Sequence, residues 1–199
     1  MRAMSIYLKK GKFMKYFYMT IYAIVFSFLS NSLLAGDCVS GDCYNGQGIM
    51  NFPNGDKYIG EFRAEKKSGY GTYIFANGDK YEGDFKDNQP DGFGKAFLAN
   101  GNRYEGEFKN NFPNGKGTMR YHNGDVYIGE WKAGVKDGYG SMTYQNGNKY
   151  VGEWKEGKKW GQGNYTQYSG GGSVEIKKPQ KPLQPTKMNE KKSTPFWSG

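Results

Sequence analysis

The sequence is poor in the residues on which metal and nucleophile chemistry most often depends. It has one histidine, His122, and two cysteines, Cys38 and Cys43, in 199 residues. One histidine cannot form a His-pair metal site, and the two cysteines lack the further Cys or His partners that a metal or redox centre needs. Leu, Ile and Val are sparse beyond residue 35, which excludes a thick aliphatic core. What is abundant is glycine, at 31 residues, and aromatic side chains, at 17%. That pairing points to strands whose rings pack over bare backbone, joined by many tight turns.

The net charge of +9 is not spread along the chain. Of 28 basic and 19 acidic residues, five basic ones and no acid lie in 1–35, and six Lys with Glu175 and Glu190 lie in 174–199, leaving 17 of each sign in 36–173. A neutral middle is a poor electrostatic footprint for nucleic acid or an anionic membrane. Residues 1–35 read as a secretory signal peptide. A basic stretch ends at Lys15, an apolar segment is densest over 21–29, and Ser32-Leu33-Leu34-Ala35 offers a small-residue cleavage site. The alternative is an uncleaved anchor, since residues 16–34 are near the lower limit for a membrane span. Leu34-Ala35-Gly36 would open a lipoprotein motif if Cys stood at 37, but Asp37 stands there. Export would permit a disulfide between Cys38 and Cys43, which flank the turn-like Val39-Ser40-Gly41-Asp42.

A 23-residue period governs the rest. Tyr58, Tyr81, Tyr104, Tyr127 and Tyr150 fall in step; two places on come Gly60, Gly83, Gly106, Gly129 and Gly152; two further on come Phe62, Phe85, Phe108, Trp131 and Trp154. Gly-x-Gly recurs from Gly46/Gly48 to Gly161/Gly163, and Asn-Gly recurs from Asn54-Gly55 to Asn146-Gly147. Such a period is the mark of a repeat array. In Lys80-Tyr81-Glu82-Gly83-Asp84-Phe85, alternation puts Tyr81, Gly83 and Phe85 on one face. The reading gives a loop through Asp87–Asp91, a second strand from Gly92 to Leu98, and an Asn-Gly turn with positive φ at both central positions. Each glycine of the column should leave room for a ring from a neighbouring strand. The fold class expected is all-β: an elongated antiparallel meander of tandem hairpins in one twisted layer, each hairpin stable only beside its neighbours.

The run Tyr-x-Gly-(Glu/Asp)-(Trp/Phe), then Gly-x-Gly, then Asn-Gly, at this period, resembles the MORN (membrane occupation and recognition nexus) repeat. The resemblance covers five full units, from Lys57 to about Trp160, and the layout is similar to exported bacterial members. The glycine that the family carries seven residues after each Tyr is present at Gly134 and Gly157 but replaced by Glu65, Asn88 and Asn111, so those loops could differ in shape. The expected organisation is a signal segment at 1–35, a cap and partial repeat at 36–56 holding the two cysteines, the array at 57–163, a partial repeat and Gly-rich linker at 164–173, and a basic, Pro-containing tail at 174–199. The resemblance also implies neighbours: such arrays occur beside lipid-kinase and lysine-methyltransferase domains, and in proteins that link membranes or organise cell division.

No catalytic set or cofactor site emerges. The Gly-x-Gly units lack a helix start and a phosphate-facing Lys-Ser/Thr. The acidic column Glu61, Asp84, Glu107, Glu130 and Glu153 reads as a solvated ladder near Lys57, Lys80, Arg103 and Lys149, since repeat-wide placement argues against one active site. The Tyr and Phe/Trp columns read as core, with an open aromatic groove as the alternative. The function expected is a non-catalytic exported scaffold or protein-interaction module; the alternative is a lipid-head-group or glycan-binding module using the aromatic face. The partner expected is a protein, with weak anionic-membrane contact through the basic tail and no nucleic acid.

Cleavage after Ala35 and a Cys38–Cys43 bridge are expected together. Intact mass and thiol counting on protein isolated from its native compartment check both, and a chain retaining residues 16–34, or carrying two free thiols, would go against them.

Overall fold

The computed structural model describes residues 36–169 and 173–177. The segments expected as signal peptide and as most of the tail lie outside the described residues. Thirteen strands form one sheet in strict chain order, every neighbouring pair antiparallel. They are β1 (Asp37–Gly41), β2 (Gln47–Asn51), β3 (Lys57–Arg63), β4 (Lys66–Ile74), β5 (Lys80–Lys86), β6 (Gln89–Phe97) and β7 (Arg103–Lys109), followed by β8 (Phe112–Arg120), β9 (Val126–Lys132), β10 (Val135–Thr143), β11 (Lys149–Lys155), β12 (Lys158–Ser169) and β13 (Ser173–Lys177). At about 4.8 Å per strand the sheet runs roughly 60 Å. Its end differs from expectation: β13 pairs with β12 through Tyr165↔Lys177 to Ser169↔Ser173, so the sheet takes up residues read as linker and tail.

The turns are allotted the other way round from the sequence reading. The long loops expected at Asp87–Asp91 are two-residue turns, with positive φ at both residues: Ala64-Glu65, Asp87-Asn88, Asn110-Asn111, Ala133-Gly134 and Glu156-Gly157. These are the hairpin turns whose twist matches the strands. Glu65, Asn88 and Asn111 take the same left-handed conformation as Gly134 and Gly157, so replacing the glycine leaves the loop shape unchanged. At the Asn-Gly sites only the glycine has positive φ. Gly55 (φ 89°) donates its N–H to Phe52 C=O, and Phe52 N–H donates to Asp56 C=O, closing a five-residue loop.

Register places every column of the repeat. Gly41, Gly48, Gly60, Gly71, Gly83, Gly94, Gly106, Gly117, Gly129, Gly140, Gly152 and Gly163 pair in succession, forming an unbroken glycine row across β1 to β12. A Cβ on Gly83 would stand 2.5 Å from the Gly94 Cα and 2.7 Å from the Tyr81 hydroxyl, and one on Gly94 would run into the Tyr81 ring. Tyr81 therefore lies over the Gly83–Gly94 pair. The covering ring comes from the same strand, two residues earlier, and not from a neighbouring strand as expected. Tyr58, Tyr104, Tyr127 and Tyr150 lie over their own glycine pairs in the same way.

A register shift follows the glycine pair in each of these hairpins. The shift leaves a carbonyl without its ladder partner, and the tyrosine hydroxyl supplies the donor: Tyr58 to Glu61 C=O at 3.0 Å, Tyr81 to Asp84 at 3.0 Å, Tyr104 to Glu107 at 3.0 Å, Tyr127 to Glu130 at 3.0 Å and Tyr150 to Glu153 at 3.2 Å. A buried phenol is thus satisfied by the backbone irregularity beside it.

Bulk on the glycine row should be far worse than loss of the adjacent carboxylate. Gly83→Val is expected to abolish or gravely weaken folding through overlap with Gly94 and Tyr81. Asp84→Ala should cost about 1 kcal/mol, the worth of the hydrogen bond Phe93 N–H gives it. Trp131→Ala should cost about 3–5 kcal/mol as a buried large-to-small change. Urea titrations of the three variants check the order, and equal small effects would refute it.

Candidate functional site

The two faces of the sheet do different work. On one, Tyr58, Tyr81, Tyr104, Tyr127 and Tyr150 are at most 6% exposed and Phe62, Phe85, Phe108, Trp131 and Trp154 at most 5%. Tyr58, Tyr81, Tyr104 and Tyr127 each meet the ring of their own repeat and that of the next edge-to-face, and Tyr150 meets Trp154 of its own. Tyr58 sits 5.0 Å from both Phe62 and Phe85, Tyr81 5.1 Å from Phe85 and 4.9 Å from Phe108, and Tyr104 5.0 Å from Phe108 and 5.3 Å from Trp131. The series continues through Tyr127, Trp154 and Tyr150. The ten rings predicted from the sequence form one continuous, buried zipper.

Lysines plug this face where the repeat allows. Lys67 Nζ lies 4.3 Å from the Tyr73 ring centre and 5.1 Å from that of Phe52; Lys136 lies 4.5 Å from Trp154; Lys159 lies 4.7 Å from Tyr150. Pro90 and Pro113 take the equivalent places in β6 and β8, facing Phe85 and Phe108 in register. Burial lowers Lys67 to about 8, although Asp56 opposes the shift. Burial would raise the Asp56 carboxyl, but the Tyr73 hydroxyl, the Ala76 N–H, Asn54 and Lys67 outweigh it and hold it below the ordinary carboxylate range. Burial also lowers Lys136, with Asp125 opposing.

One column escaped the sequence reading. Asp56, Asp79, Asn102, Asp125 and Asn148 recur every 23 residues, and each accepts a backbone N–H from the next loop: Ala76, Ala99, His122, Gln145 and Tyr168, at 2.7–2.9 Å. Their mixed Asp and Asn identity hid a shared acceptor role. His122 itself is exposed in its loop.

The other face is open. The middle residue of Gly-x-Gly projects there: Tyr70 is 61% exposed, Phe93 54% and Tyr139 57%, with Lys116 in the same column on β8. The acidic column alternates with it, since Tyr70 pairs with Asp84, Phe93 with Glu107, Lys116 with Glu130 and Tyr139 with Glu153. These acids form the solvated column expected, with Glu61, Glu107, Glu130 and Glu153 exposed and Asp84 half-buried. Asp84 accepts Phe93 N–H and Glu107 accepts Lys116 N–H, both at 2.9 Å, while Lys80 and Lys95 pair with Glu82 and Glu105 instead. A cleft of about 550 Å³ lies between Phe93 and Tyr139, with Lys116, Thr118 and Ile128 along it.

Cys38 and Cys43 are joined in a disulfide. Cys43 is buried, and its Sγ lies over Gly48, where a Cβ would stand 2.7 Å away. Among the described residues no cluster of three or more His, Cys, Asp or Glu side chains could hold a metal ion, and no helix is long and apolar enough to cross a membrane.

The family model described as MORN repeat matches residues 44–57, 58–80, 81–103, 104–126, 127–149 and 150–172. No curated protein matches the chain. Among solved structures, it is similar to the wild-type TCP10 domain of Danio rerio CPAP, at 19% identity and a TM-score of 0.41, over 72% of this chain and 68% of that one. It is also similar to the TCP10c domain of Drosophila melanogaster Sas-4, at 17% identity and a TM-score of 0.29, over 71% of this chain and 97% of that one.

Stability should respond to pH in two opposed steps. Lys67 falls to about 8 in the folded state from about 10.4 unfolded, so the unfolded chain binds more protons between those values and stability should rise with pH from about 8. Burial raises the phenols of Tyr58, Tyr81, Tyr104 and Tyr127. Above about pH 10 the unfolded tyrosines lose protons first and stability should fall. Denaturant midpoints from pH 7.5 to 11 measure this. In Lys67→Gln the rise should shrink and the fall remain.

Proposed function

The chain belongs to the MORN repeat family, and from that premise we propose that it is a non-catalytic scaffold or protein-interaction module, of the exported bacterial type, acting at the cell envelope or outside the cell. The observation that carries this reading is the division between faces. The chemically capable columns recur from repeat to repeat and serve cohesion: tyrosine hydroxyls bond bulge carbonyls, Asp84 and Glu107 accept backbone N–H groups, and Asp or Asn accepts from the next loop. What remains for a partner is a long, flat face bearing exposed rings. A rigid sheet with one finished face suits display and docking more than bond-making.

Recognition of a lipid head group or glycan by the Tyr and Phe/Trp columns loses its surface, because those rings are buried. Export rests on the order of basic, apolar and small residues in 1–35. Membrane contact on this reading is an electrostatic matter of the tail: residues 178–199 carry five Lys against Glu190, and each Lys near an anionic surface is worth about 1 kcal/mol.

Liposome co-sedimentation tests the assignment. Binding to anionic vesicles should be weak, should vanish as salt rises, and should disappear when residues 178–199 are removed with β13 intact. Salt-resistant binding by the truncated chain would overturn it in favour of lipid recognition by the repeats.

A further inference from the structure

Five loops of the array carry an Asn-Gly pair: Asn54-Gly55, Asn77-Gly78, Asn100-Gly101, Asn123-Gly124 and Asn146-Gly147. All five asparagines are exposed. Asn-Gly is among the most labile sequences in proteins, because glycine sets no side chain in front of its own nitrogen. That nitrogen can attack the asparagine Cγ. The N–Cγ bond forms, the Cγ–Nδ2 bond breaks, and ammonia leaves with the proton that the glycine nitrogen gives up. Water then opens the resulting succinimide at either carbonyl, leaving aspartate or isoaspartate.

The five loops share one backbone. In each, the glycine N–H donates to the carbonyl three residues earlier, at 2.8–3.0 Å. In each, the asparagine Oδ1 accepts the N–H two residues on, at 2.9–3.1 Å. The loops differ at Nδ2. Asn54, Asn77 and Asn123 donate from it to Oδ2 of Asp56, Asp79 and Asp125, at 2.8–3.0 Å. In the other two loops Asn102 and Asn148 stand in place of the aspartate. Their Oδ1 is turned to the N–H of His122 and Tyr168. The other half of each side chain is an NH2 group, a donor with nothing to offer a second NH2. Asn100 and Asn146 are therefore held by one end of the amide, and the other three by both.

We propose that Asn100 and Asn146 are the deamidation sites among these five loops, and that Asp56, Asp79 and Asp125 lock the other three. To react, the asparagine side chain must turn so that Cγ comes onto the glycine nitrogen, and it must reach that near-attack geometry before ammonia can leave. With both ends of the amide bonded, the turn breaks two hydrogen bonds; with one end bonded, it breaks one. Two further Asn-Gly pairs, Asn45-Gly46 beside the disulfide and Asn114-Gly115 in β8, have other backbone settings and stand outside this set. The modification has a defined structural effect. Isoaspartate adds a carbon to the main chain of a tight loop, which draws Asn102 away from His122 N–H or Asn148 away from Tyr168 N–H. It also places a negative charge there. The ties between successive hairpins thus loosen at two places and hold at three.

The experiment follows the purified full-length chain during prolonged incubation at mildly alkaline pH. Peptide mapping by mass spectrometry marks each site through the replacement of NH2 by OH and the separate elution of aspartyl and isoaspartyl peptides. The same chain unfolded in urea gives the reactivity of each site without the fold. In urea the five loop sites should react at similar rates. In the folded chain Asn100 and Asn146 should react several-fold faster than Asn54, Asn77 and Asn123. Exchanging the locking residue should move the effect. Asn102→Asp supplies the missing acceptor and should slow Asn100 to the rate of the locked sites, and Asn148→Asp should do the same for Asn146. Asp79→Asn removes the acceptor and should raise Asn77 to the rate of Asn100. Each exchange places in one loop a residue that the array already uses at the same place in another, and melting curves check that the fold is kept. Equal rates at all five sites of the folded chain, a locked site reacting first, or exchanges that leave the folded-state rates unchanged would overturn the lock.

Discussion

The structure depends on one contact: a tyrosine ring laid flat over two glycines that face each other across a strand pair. The ring can reach the backbone only because neither partner has a Cβ, and its hydroxyl then meets the carbonyl that the adjacent register shift leaves unpaired. Apolar burial, close packing and polar satisfaction fall on the same side chain. That is why a sheet of one layer, with almost no aliphatic core, can hold together. The edge-to-face contact of Tyr58, Tyr81, Tyr104 and Tyr127 with two rings each, one from its own hairpin and one from the next, turns a local motif into a continuous one. No hairpin is complete without its successor, as the one-dimensional logic of repeat proteins requires.

Cohesion on one face frees the other. In a three-layer fold both faces of the sheet would be consumed by a core; here the second face needs only to be compatible with water and to keep its strands in register. The rings of Tyr70, Phe93 and Tyr139 contribute little to the core, being more than half exposed. Two carboxylates of that face, Asp84 and Glu107, have a structural task, each accepting an N–H next to a glycine of positive φ. An acidic column that looks like spare charge in the sequence is therefore partly architecture, and whatever binds there meets carboxylates already held in place.

The period, the strand alternation and the columns Tyr58–Tyr150 and Phe62–Trp154 were legible because they repeat as identical or near-identical residue types. Three features were not. The source of the covering ring depends on a side chain folding back along its own strand, which alternation alone does not specify. The turn types were exchanged because Asn-Gly favours two positive φ values in isolation, whereas here the loop is closed by Asp56 and its counterparts, and Asn54 serves as a side-chain partner of that aspartate. The Asp56–Asn148 column was not legible because two residue types, Asp and Asn, share one acceptor role.

The ends of the array follow from the same contact. Counting one period back from Tyr58 reaches Ala35, and one period on from Tyr150 reaches Ser173; neither can cover a glycine pair. At the first end the gap over Gly48 is filled by Cys43 Sγ, held there by its bond to Cys38. A sulfur on a short, closed loop thus replaces a ring that has no preceding hairpin to support it. At the second end Gly163 is still covered by Tyr150, and β13 pairs along the outer edge of β12 without extending the glycine row. The two ends lack different things: the first lacks a ring over its glycine, which Cys43 replaces, while the second keeps its ring and β13 moves the open strand edge one strand outward along Tyr165–Ser169.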